Sequence, residues 1–324
     1  MKIIVFLKRK LFRHKKLFQA LSALYGTMKD FNSREHKISG GKLNQDKTIF
    51  VIRPRTDKVE GLMSLFLYVL QRIAYAQKKG YLFYIDMKNY ETQYVLDGVN
   101  SWELFFEQPM TLSEEEVYES KNVILCSTCN IYDDTGFNEK IFFRKEDLDF
   151  SKVFIQKYIR LSETMEKMLS QELERLHIYD AIGIYMRGTD YTKLKPAGHY
   201  VQPSKEMVKE KVDEFIEKYQ EKNLFLVTED IENYEYMKAC YKEQVHVVSN
   251  EHFISGYKGD DFLSKTGCLG KDNVQRGYEY LVKMLLLSKC KYLITSITMG
   301  SEAAYLLNQG EYKDVYVFDL GLYE

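Results

Sequence analysis

The stretch IGIYMRGTDYTKLKPAGHYVQPS, Ile182 to Ser204, places charge where a buried strand should stop. Ile182, Ile184, Tyr185 and Met186 form the short apolar run of a strand covered on both faces, and it breaks abruptly into Arg187, Gly188, Thr189 and Asp190. In open α/β sheets, ligands bind at such carboxyl ends. Outward from this stretch the second half alternates regularly. Strand patterns at 181–186, 223–227, 244–248, 292–295 and 314–318 are separated by helical patterns at 204–219, 232–241, 277–289 and 300–308. That alternation predicts a parallel sheet with helices on both faces.

The first half carries the same signature. Residues 47–53 read as a strand, Glu60 to Gly80 as a helix with apolar residues at Leu62, Leu65, Phe66, Val69, Leu70 and Ile73, and Tyr81 to Asp86 as a second strand. Gly80 suits a C-cap. The first connecting loop, RPRTDKVEG, puts Arg53 and Arg55 at a strand end and Gly61 at the helix start. These arginines have the charge to face an anionic ligand on an acceptor side, and salt bridging or solvation would satisfy them equally. SWELFFEQP, which holds the only Trp, and the strand at 122–126 follow; core packing explains the aromatic cluster better than sugar stacking. Cys126 and Cys129 make a CxxC without a second pair at metal-ligand spacing, which reads as structural. Asp147 and Asp149 precede a helix expected from about Lys152 to Leu176 and read as its capping and dipole partners rather than as a metal site.

Length and composition set the frame. With 324 residues, two domains of about 150 residues are the natural prior. We place the boundaries at 1–40 for a basic amphipathic segment, 41–178 for an acceptor-side α/β domain and 179–324 for a donor domain. A net charge of -1 argues against a generally basic nucleic-acid binder. Five cysteines without paired spacing point to a reducing compartment, hence a cytoplasmic protein. Ahead of the first acid, Asp30, stand Lys2, Lys8, Arg9, Lys10, Arg13, Lys15 and Lys16, mixed with apolar residues in runs too short to span a bilayer. Such a segment fits an ordinary surface helix or a peripheral contact with an anionic inner membrane face, worth roughly 1 kcal/mol per basic residue.

A parallel second sheet brings Arg187, Thr189 and Asp190 together with Glu229 and Asp230 after the next strand and with Ser296, Thr298, Gly300 and Ser301 after the fourth. Arg187 has the fork geometry for a diphosphate, and the helix opening at Gly300 offers backbone N–H groups. Neither GxGxxG nor GxxxxGK[ST] occurs, so a dinucleotide fingerprint and a phosphate loop of that type are both missing.

IYMRGTDY resembles the HxRR[TG]DY-type first motif of the GDP-fucose-dependent fucosyltransferase superfamily, which includes the nodulation fucosyltransferase and the α1,6- and bacterial α1,2-fucosyltransferases. LFLVTEDIENYEYMK is similar to the second motif of that superfamily and LLLSKCKYLITSITMGSEAAYLL to the third. GHYVQPS sits where the α1,6 enzymes carry a His-Pro segment, and VEGLMSLFLYVLQRIAYAQKKGYLFYID resembles their glycine-loop helix and strand. The resemblance covers about 47–86 and 180–308 in order. It implies a GT-B-like fold of two Rossmann-like domains facing a cleft, a GDP-fucose donor, a glycan acceptor, inversion at the anomeric carbon and no metal or other cofactor. It makes Arg187 the diphosphate ligand and Thr298 a phosphate contact.

The chain also departs from that pattern. Tyr185 stands for the leading His, Gly188 for the second Arg, and Gly61, Leu62, Met63 and Ser64 for the glycine loop. Lys195 falls where the α1,6 enzymes place a catalytic Glu, and Lys283 falls where a guanine-recognising acid is expected, with Glu279 one turn earlier as the choice. His199, Asp190 and Glu229, in that order, are the base candidates. Two rivals remain open, a GT-B transferase for another nucleotide sugar and a non-catalytic glycan- or nucleotide-binding descendant. Replacing Arg187 by Ala is expected to abolish turnover with the melting temperature nearly unchanged.

Overall fold

Strand β5 (Ile182–Met186) is buried at all five positions and lies at the centre of the second sheet. The computed structural model describes residues 33–55, 60–129, 132, 137, 142–249, 251–258 and 272–324. The basic segment read at the start of the chain falls, up to residue 32, outside the described residues. Side chains on β5 alternate with the pleat. Ile182, Ile184 and Met186 join an apolar cluster with Val208, Val212 and Phe215, while Tyr185 faces a second cluster on the opposite side. The first of these clusters is supplied by helix α6 (Lys205–Tyr219), whose buried residues recur at helical spacing and whose N-cap Ser204 accepts the Met207 N–H.

The second sheet is parallel throughout, in the order β7-β6-β5-β8-β9, with β6 (Leu224–Thr228), β7 (Val245–His246), β8 (Tyr292–Ser296) and β9 (Asp314–Phe318). The chain builds outward from β5 to β7 on one side, then crosses back to β8 on the other. The strand order therefore reverses between β5 and β8, and ligands bind at such a reversal. β7 is shorter than the strand expected over 244–248.

The first sheet runs β1-β4-β2-β3, with β2 (Ile49–Ile52), β3 (Leu82–Ile85) and β4 (Asn122–Leu125) parallel. Edge strand β1 (His36–Ser39) is antiparallel to β4. Helix α1 (Leu62–Lys78) crosses from β2 to β3 and is buried nearly all round, because it is covered by its own sheet and by the second half. It ends at Lys79, and Gly80 takes the left-handed φ of 69° that follows a helix end at little cost.

Where the two halves meet they share one apolar core. It includes Phe50, Phe66, Phe105 and Phe106 from the first half and Leu281, Leu285, Leu293 and Ala303 from the second. Trp102 stacks on Phe106 within it, as core packing requires. In helix α8 (Asn273–Leu287), Gly277 lets the aromatic cluster approach: a Cβ there would lie 2.6 Å from the Phe105 ring.

The long helix expected up to Leu176 is two helices, α3 (Lys145–Tyr158) and α4 (Glu163–Leu176). Ile159 turns extended, and Ser162 caps α4 by accepting the Met165 N–H. Asp147 is not the cap. It lies inside the first turn of α3, fully buried, in an ion pair with Arg144. Between α4 and β5, residues 178–180 form one 3-10 turn. Short helices α2 (Glu114–Tyr118) and α5 (Thr189–Leu194), α7 (Ile231–Tyr241), a 3-10 turn at Lys242–Gln244 and α9 (Met299–Leu307) are further elements. Among the described residues no helix is long and apolar enough to cross a membrane.

Candidate functional site

The register of the second sheet assembles the site. Met186 lies opposite Thr228, so the residues after β5 and β6 emerge side by side, and Arg187 meets Glu229. Arg187 Nη2 donates to Asp190 Oδ1 at 2.9 Å, and Nε is 3.8 Å from Glu229 Oε1. The guanidinium lies over the Tyr191 ring at 4.7 Å, which makes a cation–π contact. Burial pulls its pKa down, but Glu229, Tyr185 and Asp190 outweigh that and hold it well above the usual range. The group is thus a permanent cation. Its Nη1 makes no hydrogen bond among the described residues.

The acids around Arg187 hold the turn that carries it. Glu229 Oε1 accepts the Gly188 N–H and the Thr189 hydroxyl, each at 2.9 Å. Asp230 accepts the Thr189 N–H and also caps α7 through the Glu232 N–H. Thr189 has φ 39°, a left-handed conformation that a β-branched residue adopts only under constraint, and these bonds supply it. Asp190 is 3% exposed and accepts from Arg187 and from the Tyr191 N–H. Glu229, Asp230 and Thr189, grouped as donor contacts from the sequence, are therefore brought to the site but bonded to one another.

Gly188 has a physical reason. A Cβ at that position would lie 2.4 Å from Asp230 Oδ2 and 2.5 Å from its Cβ, so the second Arg of the resembled motif has no room here. Gly188→Ala is expected to cost about 1–3 kcal/mol by overpacking and by displacing the α7 cap, read as a lower denaturant midpoint. An unchanged midpoint would show that the turn yields freely.

Across the sheet's reversal, α9 opens at Thr298. Its hydroxyl accepts the Ser301 N–H, and Ser301 Oγ donates to Ser296 O at 2.6 Å. The Glu302 N–H goes to Thr298 O, so among the described residues the Met299 and Gly300 N–H groups are those left to meet an anion. Gly300 is the point of close approach: a Cβ would lie 2.3 Å from Tyr280 Oη and 3.0 Å from Tyr185 Oη. Ser301 and Ser296, named from the sequence as donor contacts, are fully buried, and Ser296 Oγ donates to Gln202 Oε1 at 2.5 Å. They brace the site from beneath.

The remaining expected residues divide. The His199 ring meets Tyr191 edge-on at 5.4 Å, so Arg187, Tyr191 and His199 form one stack. Lys195, in the place of the expected acid, is exposed at a left-handed helix end. Glu279 accepts from Gln275 Nε2 at 3.0 Å. Lys283 pairs with Glu251, a carboxylate from a segment whose Ile254 N–H donates to Glu229 O. Burial raises the Glu251 pKa and Lys283 opposes it. Arg53 donates from Nε to Cys126 O at 3.0 Å and lies over Tyr90, which closes the carboxyl edge between β2 and β4. Arg55 pairs with Glu60 over the Tyr68 ring. Gly61 precedes α1 at φ -65°, and a Cβ there would meet no atom of the described residues within 4 Å. Of the acceptor-side arginines, both thus hold intramolecular partners. Cys126 is buried and Cys129 exposed. Among the described residues no group of three or more His, Cys, Asp or Glu side chains is placed to hold a metal ion.

Reading the sequence alone missed Tyr191 as the ring between Arg187 and His199, Gln202 beneath the loop, and Glu251. Tyr191 was visible within RGTDY, but a stacked ring has no linear signature. Gln202 and Glu251 act across long stretches of chain.

Two α/β sheets with Rossmann-type connections, joined through packed helices and with a cationic strand end at the strand reversal of the second, make a GT-B-like fold. Neither a protein-family model nor a curated protein matches the sequence. Among solved structures the chain is similar to the NodZ α1,6-fucosyltransferase from crystals soaked with GDP-fucose, at 16% identity and TM-score 0.51, over 85% of this chain and 96% of that one. The selenomethionine form of fucosyltransferase NodZ from Bradyrhizobium matches at 17% identity and TM-score 0.51, again over 85% of this chain and 96% of that one. The chain therefore shares the fold of GDP-fucose-dependent fucosyltransferases of known structure.

Proposed function

We propose that the chain is an inverting glycosyltransferase that moves fucose from GDP-fucose to a hydroxyl of a glycan acceptor, such as a surface polysaccharide or a lipid-linked glycan. The observation that carries this reading is the pairing of an oriented, permanently charged Arg187 with the open N-terminus of α9 across the reversal of the second sheet. Together they supply the fixed cation and the backbone N–H donors that a diphosphate needs. The NodZ structure soaked with GDP-fucose supports guanosine diphosphate and fucose as the donor parts.

In the proposed reaction the acceptor oxygen attacks the anomeric carbon, and the bond to the β-phosphate oxygen breaks with its electron pair going to that oxygen. Arg187 and the Met299 and Gly300 N–H groups take up the developing charge. His199 accepts the acceptor's proton. Asp190 and Glu229 rank lower as bases because each is already engaged by two or more donors. Glu279 at the base, and Arg53, Arg55 and Gly61 on the acceptor side, complete the assignment. We place the protein in the cytoplasm, peripheral to the inner membrane face through its basic first segment, with no metal in the reaction.

Thermal shifts with GDP, UDP and CDP side by side, followed by a donor screen with mass detection of the transferred sugar, test the reading. A selective GDP shift and an added deoxyhexose mass are expected. Transfer of a different sugar would move the chain to another nucleotide-sugar class. Binding without transfer from any donor would make it a non-catalytic binder.

A further inference from the structure

Residues 321–323 form a feature that the proposed chemistry has not used. They run antiparallel to the loop at 198–202. Gly198 donates its N–H to Tyr323 O at 2.9 Å, Tyr323 donates to His199 O at 2.8 Å, and Val201 donates to Gly321 O at 2.9 Å. Tyr200 and Leu322 form the bridge between them, and the Gln202 N–H reaches Tyr323 Oη at 3.3 Å. Beneath the loop, Gln202 accepts from Ser296 at the end of β8 and donates to Tyr200 O. Gly198, at φ 78°, makes the turn that brings His199 back toward Tyr191.

These contacts add little to the core. Leu322 is 53% exposed, and the backbone bonds on either side of it are the main attachment. What they fix is the backbone of His199, whose ring meets Tyr191 edge-on, with Tyr191 itself lying under Arg187. A segment that contributes almost no buried apolar surface but holds both sides of His199 is placed to control geometry rather than stability.

We propose that residues 321–323 are a positioning strap for His199: by pairing with 198–202 they hold its ring edge-on against Tyr191, and so at a set separation from Arg187. The proposal rests on His199 being the base of the transfer. A base misplaced by about 1 Å loses up to roughly 100-fold in rate even when the ligand still binds.

Tyr323→Pro removes the N–H that His199 O accepts, and Gly321→Val disfavours the left-handed φ of 80° that presents the Gly321 carbonyl to Val201. Both are measured with His199→Ala and with each double variant, as kcat and donor KM, alongside circular dichroism. Expected is a fall in kcat of about 10- to 100-fold with donor KM within about twofold, and no more than about a twofold further loss on the His199→Ala background. Losses that multiply in the double variants, or a rise in donor KM with kcat intact, would overturn the strap. An NMR arm needs no donor. The His199 ring resonance, identified by its absence in His199→Ala, should move in both strap variants as it leaves the Tyr191 ring. An unmoved resonance overturns the strap; a moved one, with wild type transferring nothing from GDP-fucose, leaves the strap standing and removes the donor reading.

Discussion

Arg187→Ala is expected to lower sugar transfer by at least about 100-fold, the loss typical of deleting one preorganised donor from a developing oxyanion. The guanidinium is the one permanent cation at the reversal of the second sheet whose Nη1 carries no hydrogen bond among the described residues. The GDP-induced thermal shift should shrink with it. The sequence alone suggested an unchanged melting temperature, and the structure changes that expectation. Asp190 is buried against Arg187, and Glu229 is nearby, so deletion strands carboxylates in a dry turn. Removing the cation that offsets buried carboxylates costs about 1–3 kcal/mol, a melting point lower by several degrees. Adding Asp190→Asn to Arg187→Ala removes one stranded charge and should recover part of the stability but none of the turnover. Activity is read well below the melting transition and normalised to the folded fraction. Retained transfer by folded Arg187→Ala would remove the diphosphate anchor.

Glu302→Gln is expected to change how stability depends on pH. Glu302 sits in the first turn of α9 and is 1% exposed. One of its oxygens accepts the Phe143 N–H at 2.7 Å, and the other has no hydrogen-bond partner among the described residues. Burial pushes the carboxyl up to about 8, with the Phe143 N–H opposing. A helix N-terminus favours a charged acid, but desolvation wins here, so near neutrality the side chain is uncharged. That neutrality leaves the partial positive charge of the α9 end available to an anion.

The folded pKa lies above the unfolded one, so the contribution of Glu302 to stability is complete below about pH 4.5. It is lost progressively as pH rises to about 8. The unfolded chain ionises in this window while the folded one must hold a proton. Each pKa unit is about 1.4 kcal/mol, so the decline is on the order of a few kcal/mol. Gln mimics the neutral acid and should flatten the decline. Chemical denaturation of both proteins at mildly acidic and mildly alkaline pH reads the difference. Parallel stability profiles would show that Glu302 titrates normally.

Much of the architecture was legible because burial on two faces writes itself into sequence. The five strands of the second sheet and the helices between them follow from apolar runs ended by polar residues. The failures have local causes. β1 reads HKIS, an edge strand with one side of its ladder open and no apolar run to mark it. α5 begins at a Thr with positive φ and lasts six residues, so neither propensity nor period announces it. The break between α3 and α4 was hidden because Ile159 and Leu161 carry the apolar pattern across it.

By itself, the sequence determined that β5 is buried on both faces and is followed by Arg187, that acids follow β6, and that hydroxyls and a glycine open the helix after β8. These are properties of short segments, set by side-chain polarity and the pleat. Only the tertiary structure decided how those groups are spent. Glu229, Asp230 and Ser301 satisfy the turn and the helix cap, Ser296 braces the 198–202 loop, Asp190 orients Arg187, and residues 321–323 reach back to His199. A buried polar group must be partnered, and which partner it finds depends on neighbours brought from far along the chain. The same residue types in one strand-end pattern could have faced a ligand or each other, and packing made that choice.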